Sequence, residues 1–504
     1  MTPVKRICLN VAATYGRSLV ALAAGVFTGR WLLMALGQTD YGLYGLVGAL
    51  SVLVAFFNLL LAGSVERFYA VAAGSGDLDE RRRWFTIAFA VHAGLGVLVA
   101  AVGYPLGRVL ITGFLEIPSD RVAACVDAFG FVALDAFVGF VTVPFVALFT
   151  ARQKIAELTV FGLVQTLANL VVLGWMVTHP GAWLVAYAGA ICAIRALPAI
   201  MLASIAGMKF DECRFVPAAV FDSARIGRFA AFTASRLSCL VGQVCSSQGL
   251  AVVVNKYLGV ARNATLAVGN TVFNNSLMLS GAMTGAFMPA IMNLEGAGDR
   301  GKMRAYALRT CLFSTLSVLA FAVPLALEMD FVLDLWLETP PEGAVGLGLC
   351  FLVVVVLEKL TEGHWIAVAA IGDIRRSQLA EAAAYFGAFL VGWGLIAVGC
   401  DILAVGFAVI LGKFAGDLVK LHYGRTIAGL SVRLWIRTVL VPSLLVAAAA
   451  VGGGLAPRLL LAPSVARALA TGLAALAVAA PLAWRFALTA SDRALVLSKL
   501  RRRG

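Results

Sequence analysis

Charged side chains are scarce in this sequence. Only 13% of its 504 residues are Asp, Glu, Lys or Arg, where a water-soluble domain carries roughly a quarter. A soluble enzyme is excluded on that ground. Histidine is nearly absent: His92, His179, His364 and His422 lie far apart, so no metal site is expected. The nine cysteines show no CxxC spacing and fall mostly inside apolar runs, as Cys192, Cys239, Cys245 and Cys350 do. They read as small packing residues, not as a disulfide or metal framework. The loops Gly74-Ser75-Gly76-Asp77 and Gly296-Ala297-Gly298-Asp299 imitate a phosphate-binding turn, but no Gly-Lys-Ser/Thr and no preceding strand accompany them. ATP binding is therefore not expected. No nucleophile–base constellation is present, so neither catalytic residues nor a cofactor are called for.

What the chain has in abundance is apolar length. Hydrophobic residues make up 61%, mean hydropathy is +0.93, and apolar runs long enough to cross a ~30 Å hydrocarbon layer recur from end to end. The expected spans are 11–36, 43–71, 85–111, 125–150, 158–178, 183–206, 228–254, 263–290, 305–329, 344–370, 378–398, 403–424, 435–456 and 465–487. The fold class is an all-α polytopic membrane protein with about fourteen transmembrane helices. Lys5 and Arg6 precede a first run too long for a cleavable signal, so that run is expected to stay in the membrane.

The net charge of +13 does not point to nucleic acid, because the basic residues sit in short loops between spans. Of the 40 lysines and arginines, 27 fall on one side of the scheme, among them Lys5, Arg6, Arg81 to Arg83, Arg375 and Arg376. Six fall on the other side: Arg108, Arg121, Lys256, Arg262, Arg458 and Arg467. By the positive-inside rule both termini are expected in the cytoplasm. The tail Lys499 to Arg503 is expected to lie near anionic lipid headgroups.

The chain also repeats itself at an offset of 222 residues. Leu36-Gly37 matches Leu258-Gly259, and Gly74-Ser75-Gly76-Asp77 matches Gly296-Ala297-Gly298-Asp299. Phe114-Leu115-Glu116-Ile117-Pro118 matches Trp336-Leu337-Glu338-Thr339-Pro340, and Lys154 matches Arg376. Six spans separate equivalent positions, so the copies enter the membrane the same way and form parallel repeats. The expected domains are two six-helix bundles, 1–212 and 222–434, followed by two further helices and the basic tail over 435–504. Two such bundles facing each other are the architecture of alternating-access carriers.

The stretch RWLLMALGQTDYGLYGLVGAL…FFNLLLAGSVERFYAVAAGSGD, residues 30–77, resembles the N-terminal region of polysaccharide (O-antigen) flippases. The matching features are an arginine in the first span, the Leu-Gly…Asp-Tyr-Gly turn at 36–42 and Glu-Arg-Phe at the end of the second span. VPFVALFTARQKI (143–155) and VPLALEMDFVLDLWLETPPE (323–342) are similar to the same family, which belongs to the multidrug/oligosaccharidyl-lipid/polysaccharide exporter (MOP) superfamily. The resemblance implies a flippase that moves a polyprenyl-pyrophosphate-linked oligosaccharide across the cytoplasmic membrane. Its partners would be membrane lipids and the polymerase or ligase machinery of polysaccharide synthesis. The alternatives within the superfamily are lipid II flippases and MATE-type cation-coupled drug exporters. From a different class come a non-catalytic scaffold of polysaccharide assembly and an enzyme, the latter opposed by the shortness of every outside loop.

Charges inside the spans discriminate among these readings, since a cation exporter should present carboxylates and a pyrophosphate carrier arginines. Arg17, Arg30, Arg67, Arg195 and Arg236 lie within spans, and each costs ~2.5–3.5 kcal/mol at bilayer centre unless it faces water or an acid. Arginine suits a diphosphate because its planar fork binds phosphate oxygens two at a time. Arg30 and Arg236 are the preferred anion contacts, with Arg17 and Arg67 second. Arg17 and Arg30 stand about 220° apart on one helix and cannot both aim into one narrow cavity. Gln243, Asn270 and Asn274 are candidate sugar contacts, as are Asn263, Gln165 and Asn169, although amides also join helices. Asp135, Glu358 and Glu362 are the ion-coupling candidates. An Asp135–Arg195 pair and a Lys413–Asp417 pair at i, i+4 are the structural alternatives.

Overall fold

The computed structural model describes residues 3–115, 117–179, 181–487 and 493, with backbone alone for 3–9, 11, 22, 26, 38, 49–57, 59, 260, 261 and 487. Glu116 of the repeated motif and the basic tail Lys499 to Arg503 lie outside the described residues. The described chain is helical, without a strand. In order it forms α1 (Pro3–Ser75), α2 (Leu78–Leu98), α3 (Tyr104–Gly113), α4 (Val122–Ala151), α5 (Ile155–Thr178) and α6 (Leu184–Lys209). Then come α7 (Ser223–Val244), α8 (Leu250–Gly296), α9 (Arg300–Leu327), α10 (Met329–Leu337), α11 (Ala344–Leu360) and α12 (Glu362–Ile371). The last are α13 (Arg375–Ala397), α14 (Leu403–Thr426), α15 (Val432–Trp435), α16 (Val441–Leu460) and α17 (Val465–Ala487). Single π-turns at Val99–Gly103, Cys245–Gly249 and Ile436–Leu440 join neighbouring helices without a break.

Eleven of these stretches are long and apolar enough to span a membrane, and the bent pair α11–α12 makes a twelfth. Two expected spans remain. The segment 43–71 is the half of α1 beyond Gly37, and 403–424 is α14, whose Lys413, Asp417 and Lys420 dilute its hydropathy.

Equivalent positions of the repeat carry equivalent backbone. Gly37 (φ 71°, ψ 172°) breaks α1 and Gly259 (φ 82°, ψ 179°) breaks α8. That region of conformational space is essentially reserved for glycine, so each break ends one span and starts the next. Three residues beyond each break a charge ties the chain down. Asp40 lies 3.4 Å from Arg121, and Arg262 lies 3.0 Å from Glu342 and 3.5 Å from Asp401. The sign is reversed between the copies while the place is kept. Gly76 and Gly298 take positive φ, after which Asp77 accepts hydrogen bonds from the Asp79 and Glu80 amides and Asp299 from the Lys302 amide. These side-chain caps satisfy donors that a helix start leaves open.

Two compact units result. The first holds residues 1–233 with 292–298. Its core gathers Leu43, Val47, Ile111, Phe129 and Leu184 at one place, and Leu32, Leu36, Leu173 and Tyr187 at another. Within this unit the ends of α1 and α8 meet backbone to backbone. A Cβ on Gly74 would stand 1.9 Å from the Asn293 carbonyl oxygen, and one on Gly296 would stand 1.8 Å from that of Val71. Gly74 and Gly296 are repeat mates, as are Val71 and Asn293, so the contact is symmetric in the sequence.

The second unit holds 234–291 with 299–504. Its cores join α8 to α11 and α14, and α9 to α16 and α17. The last two helices are fixed by charge as well. Buried Glu328 binds Arg467 at 2.6 Å and accepts from the Thr471 hydroxyl at 2.7 Å, while Arg458 meets Asp330 at 3.0 Å.

Valine at Gly74 or Gly296 should lower the melting temperature of the purified protein, the overpacking costing about 1–3 kcal/mol. Gly207→Val, at a position with open space around it, is the matched control and should melt like the parent. Equal melting temperatures for all three variants would remove the close crossing from the list of stabilising features.

Candidate functional site

The densest polar cluster lies inside the second unit. Lys413, Asp417 and Lys420 share one face of α14 by their spacing, and that face turns toward α11. Glu358 of α11 pairs with Lys413 and lies 3.4 Å from Lys420. Asp417 stands 3.3 Å from Lys413 and 3.7 Å from Lys420, and its carboxylate accepts from the Thr361 hydroxyl at 2.7 Å. Thr361 sits at the bend between α11 and α12. Around the same bend Lys359 binds Glu362 at 3.0 Å and reaches the Thr284 hydroxyl at 3.5 Å. The Lys413–Asp417 pair expected from its spacing is thus present, with Glu358 as a further partner. Glu358 and Glu362 are both neutralised by lysines.

The buried carboxylate without an ion-pair partner among the described residues is one the sequence reading passed over. Glu381 of α13 is 3% exposed. It accepts a hydrogen bond from the Gln378 amide at 3.2 Å and stands 4.0 Å from the Cys239 sulfur. Its signal in the sequence was available: it is the single acidic residue in the span 378–398.

The arginines fall into two classes. Arg17 and Arg30 on α1 are exposed and have no acidic partner among the described residues. The Arg17 guanidinium rests on Gly162 of α5, where a Cβ would come within 2.5 Å of it. Arg67 is buried instead, its guanidinium 4.5 Å from the Phe68 ring and 5.0 Å from the Phe232 ring. Arg236 is half-buried and lies 4.8 Å over the Trp365 ring. Gln243, two turns further along α7, is exposed and turns its amide toward the Cys239 sulfur at 3.8 Å, and Asn274 is exposed on α8 with Asn270 half-buried. Asp135 pairs with Arg195 at 3.2 Å. No group of His, Cys, Asp and Glu among the described residues has the geometry to hold a metal ion.

The helical fold of this chain is shared with solved membrane proteins. A mutant MATE crystal structure superposes with a TM-score of 0.71 at 13% identity, covering 85% of this chain and 97% of the other. The outward-facing form of a multidrug-resistance MATE family transporter of the MOP superfamily gives 0.67 at 15% identity over 85% and 96%. The fold is that of the MATE transporters. A MOP superfamily transporter from Pyrococcus furiosus Vc1, for which reverse polarity of the binding pocket suggests a different function, shares the MATE fold with a TM-score of 0.65 at 13% identity over 85% and 96%. No protein-family model and no curated protein sequence matches the chain.

Breaking the α11–α14 cluster one charge at a time should be costly. Lys413→Met or Glu358→Gln alone unbalances the cluster, though Glu358 keeps Lys420 and Lys413 keeps Asp417, and should destabilise by less than the roughly 3–5 kcal/mol of a buried charge left wholly unpaired. The double variant should lose less than the sum of the two, as contacting residues do. Additive losses in thermal denaturation of the purified protein would show that the two residues do not act as a pair.

Proposed function

We propose that this chain is a transporter of the flippase type, moving a polyprenyl-pyrophosphate-linked oligosaccharide across the bacterial cytoplasmic membrane by alternating access. One observation carries the reading. Inside the spans Arg17 and Arg30 are exposed without an acidic partner among the described residues, while Asp135, Glu358, Glu362 and Asp417 each face a basic partner; exposed Asp127 near the start of α4 and buried Glu381 are carboxylates there without an ion pair among the described residues. A site for organic cations needs open carboxylates, whereas a diphosphate needs forked donors kept free of carboxylates. Arg30 of the first unit and Arg236 of the second are each candidate diphosphate contacts in this reading. The Arg236 guanidinium rests over the Trp365 ring, which orients it. The polyprenyl tail stays in lipid. Reversed pocket polarity has been read as a change of function in the Pyrococcus furiosus protein of this fold, and we apply the same logic to this chain.

The repeats 1–212 and 222–434 are the moving halves, both termini face the cytoplasm, and membrane lipids and polysaccharide polymerase or ligase are the partners. The protein performs no chemistry of its own. Glu381 is the coupling residue in this reading: it is buried without an ion-pair partner among the described residues, Lys413 and Lys420 acting on it only at longer range, and a proton or small cation exchanged in each cycle would neutralise it.

Deleting the gene should make the host accumulate a full-length polyprenyl-pyrophosphate oligosaccharide. Arg30→Ala and Arg236→Ala should each fail to clear it at wild-type protein levels in the membrane, and Glu381→Gln should slow clearance at least tenfold. An unchanged lipid pool together with new sensitivity to cationic drugs would replace the flippase reading with drug export. Wild-type clearance by Arg236→Ala would remove the anion site assigned here.

A further inference from the structure

A second polar site lies in the first unit, built on α4, α5 and α6. Asp135 is near the middle of α4 and Arg195 near the middle of α6. Their ion pair is far from closed: the side chains are 25% and 60% exposed. A charge open to hydrocarbon at that depth costs ~2.5–3.5 kcal/mol, so the face of α4 and α6 that carries the pair borders water. Polar side chains continue along this face. The Gln165 amide of α5 donates to the Arg195 carbonyl oxygen at 3.4 Å, and the Tyr187 hydroxyl of α6 donates to Asn169 of α5 at 3.4 Å. Tyr44 of α1 stands edge-on to Tyr187, ring centroids 5.1 Å apart, within electrostatic reach of both Asp135 and Arg195. From Tyr187 to Arg195 the strip runs ~12 Å along α6 at 1.5 Å per residue.

The geometry points to a binding strip for neutral sugar residues of the cargo, an assignment that rests on the flippase reading. The strip as a whole carries no net charge, since Asp135 and Arg195 cancel, so it has no preference for a diphosphate or for an organic cation. What it offers is donors and acceptors side by side. Arg195 spends one of its five N–H donors on Asp135, and Asp135 keeps lone pairs free, so the pair presents both senses of hydrogen bond to vicinal hydroxyls. Gln165 and Asn169 each add a carbonyl and an amide. Tyr44 adds an aromatic body with a polar tip, suited to an amphipathic ring. Groups that both donate and accept are what a hydroxyl-rich ligand requires, and a lipid tail requires none of them.

Two measurements test the strip. In a cysteine-free background, Gln165→Cys and Asn169→Cys in lipid nanodiscs should react with a charged, membrane-impermeant thiol reagent. Val160→Cys, an exposed apolar position lower on α5, should not. Labelling no faster at 165 and 169 than at 160 overturns the strip whatever the protein transports. In cells, Gln165→Ala/Asn169→Ala at matched membrane levels should leave at least tenfold more full-length lipid-linked oligosaccharide uncleared than wild type. A host blocked after the first sugar should clear its short lipid normally with the same variant. Equal impairment of long and short lipids, or no impairment of either, overturns the sugar role. A gene deletion that accumulates no lipid-linked glycan overturns the flippase reading and the sugar role with it, yet labelling at 165 and 169 would still show the water-lined face.

Discussion

A charge that leaves water must find either a partner or more water, and every feature of this molecule that concerns function follows from that requirement. The insertion of one charged residue costs a few kcal/mol, and the described spans contain many. The second unit meets the requirement by closure. Three lysines of α11 and α14 interlock with Glu358, Glu362 and Asp417, and Thr361 at the α11–α12 bend supplies a hydroxyl where the helix ladder is interrupted. The same solution fastens α17 to the end of α9 through Arg467, Glu328 and Thr471. The first unit meets it by opening. Arg17 and Arg30 remain without acids among the described residues, and the Asp135–Arg195 pair is left largely exposed.

Buried pairs of this kind contribute little net stability, because desolvation consumes much of the Coulomb gain, but removal of one partner is costly. The α11–α14 cluster is therefore a specifier of register more than a source of strength. It fixes which face of α14 meets α11, in a setting where apolar faces alone discriminate poorly because lipid is as apolar as a neighbouring helix.

How much of this was legible beforehand follows from the length scale of each feature. Spans are set by runs of apolar residues, and all fourteen expected segments are helical, including 403–424 despite its three charges. The breaks at Gly37 and Gly259 and the caps at Asp77 and Asp299 were legible because a special backbone leaves a special residue behind, twice, at one offset. Pairing across helices was not. Lys413 and Asp417 are neighbours on one helix and could be matched by spacing, whereas the Glu358–Lys413 and Glu328–Arg467 pairs span 55 and 139 residues of sequence. Glu358 and Glu362 read as coupling candidates for lack of that information. Arg67 reads from the sequence as a second-choice anion contact, and only the structure shows it set between Phe68 and Phe232. Glu381 escaped notice because a lone acid near the start of a span looks like a loop residue until α13 is seen to begin at Arg375.

The repeat itself sorts structural residues from functional ones. Between the matched markers Leu36 and Lys154, glycines, caps and turn residues recur in the second copy, and so does the tethering charge beyond each kink, with its sign reversed. A reversed sign at a kept place means that the tether, not the field it creates, is what that position requires. Arg195 inside α6 likewise recurs as Asp417 with its sign reversed, but other charges inside the spans behave differently. The mate of Arg67 is Pro289 and that of Asp135 is Leu357, while Glu358 and Glu362 correspond to Ala136 and Phe140. None recurs in either sign. A charge needed to build a six-helix half should be needed in both halves, so these serve what the halves do differently. The first half keeps open polar groups suited to a ligand, and the second keeps a closed cluster beside one uncompensated carboxylate. Sugar binding in the first half and coupling in the second is the division of labour that this asymmetry supports, with Arg30 and Arg236 giving each half a candidate diphosphate contact.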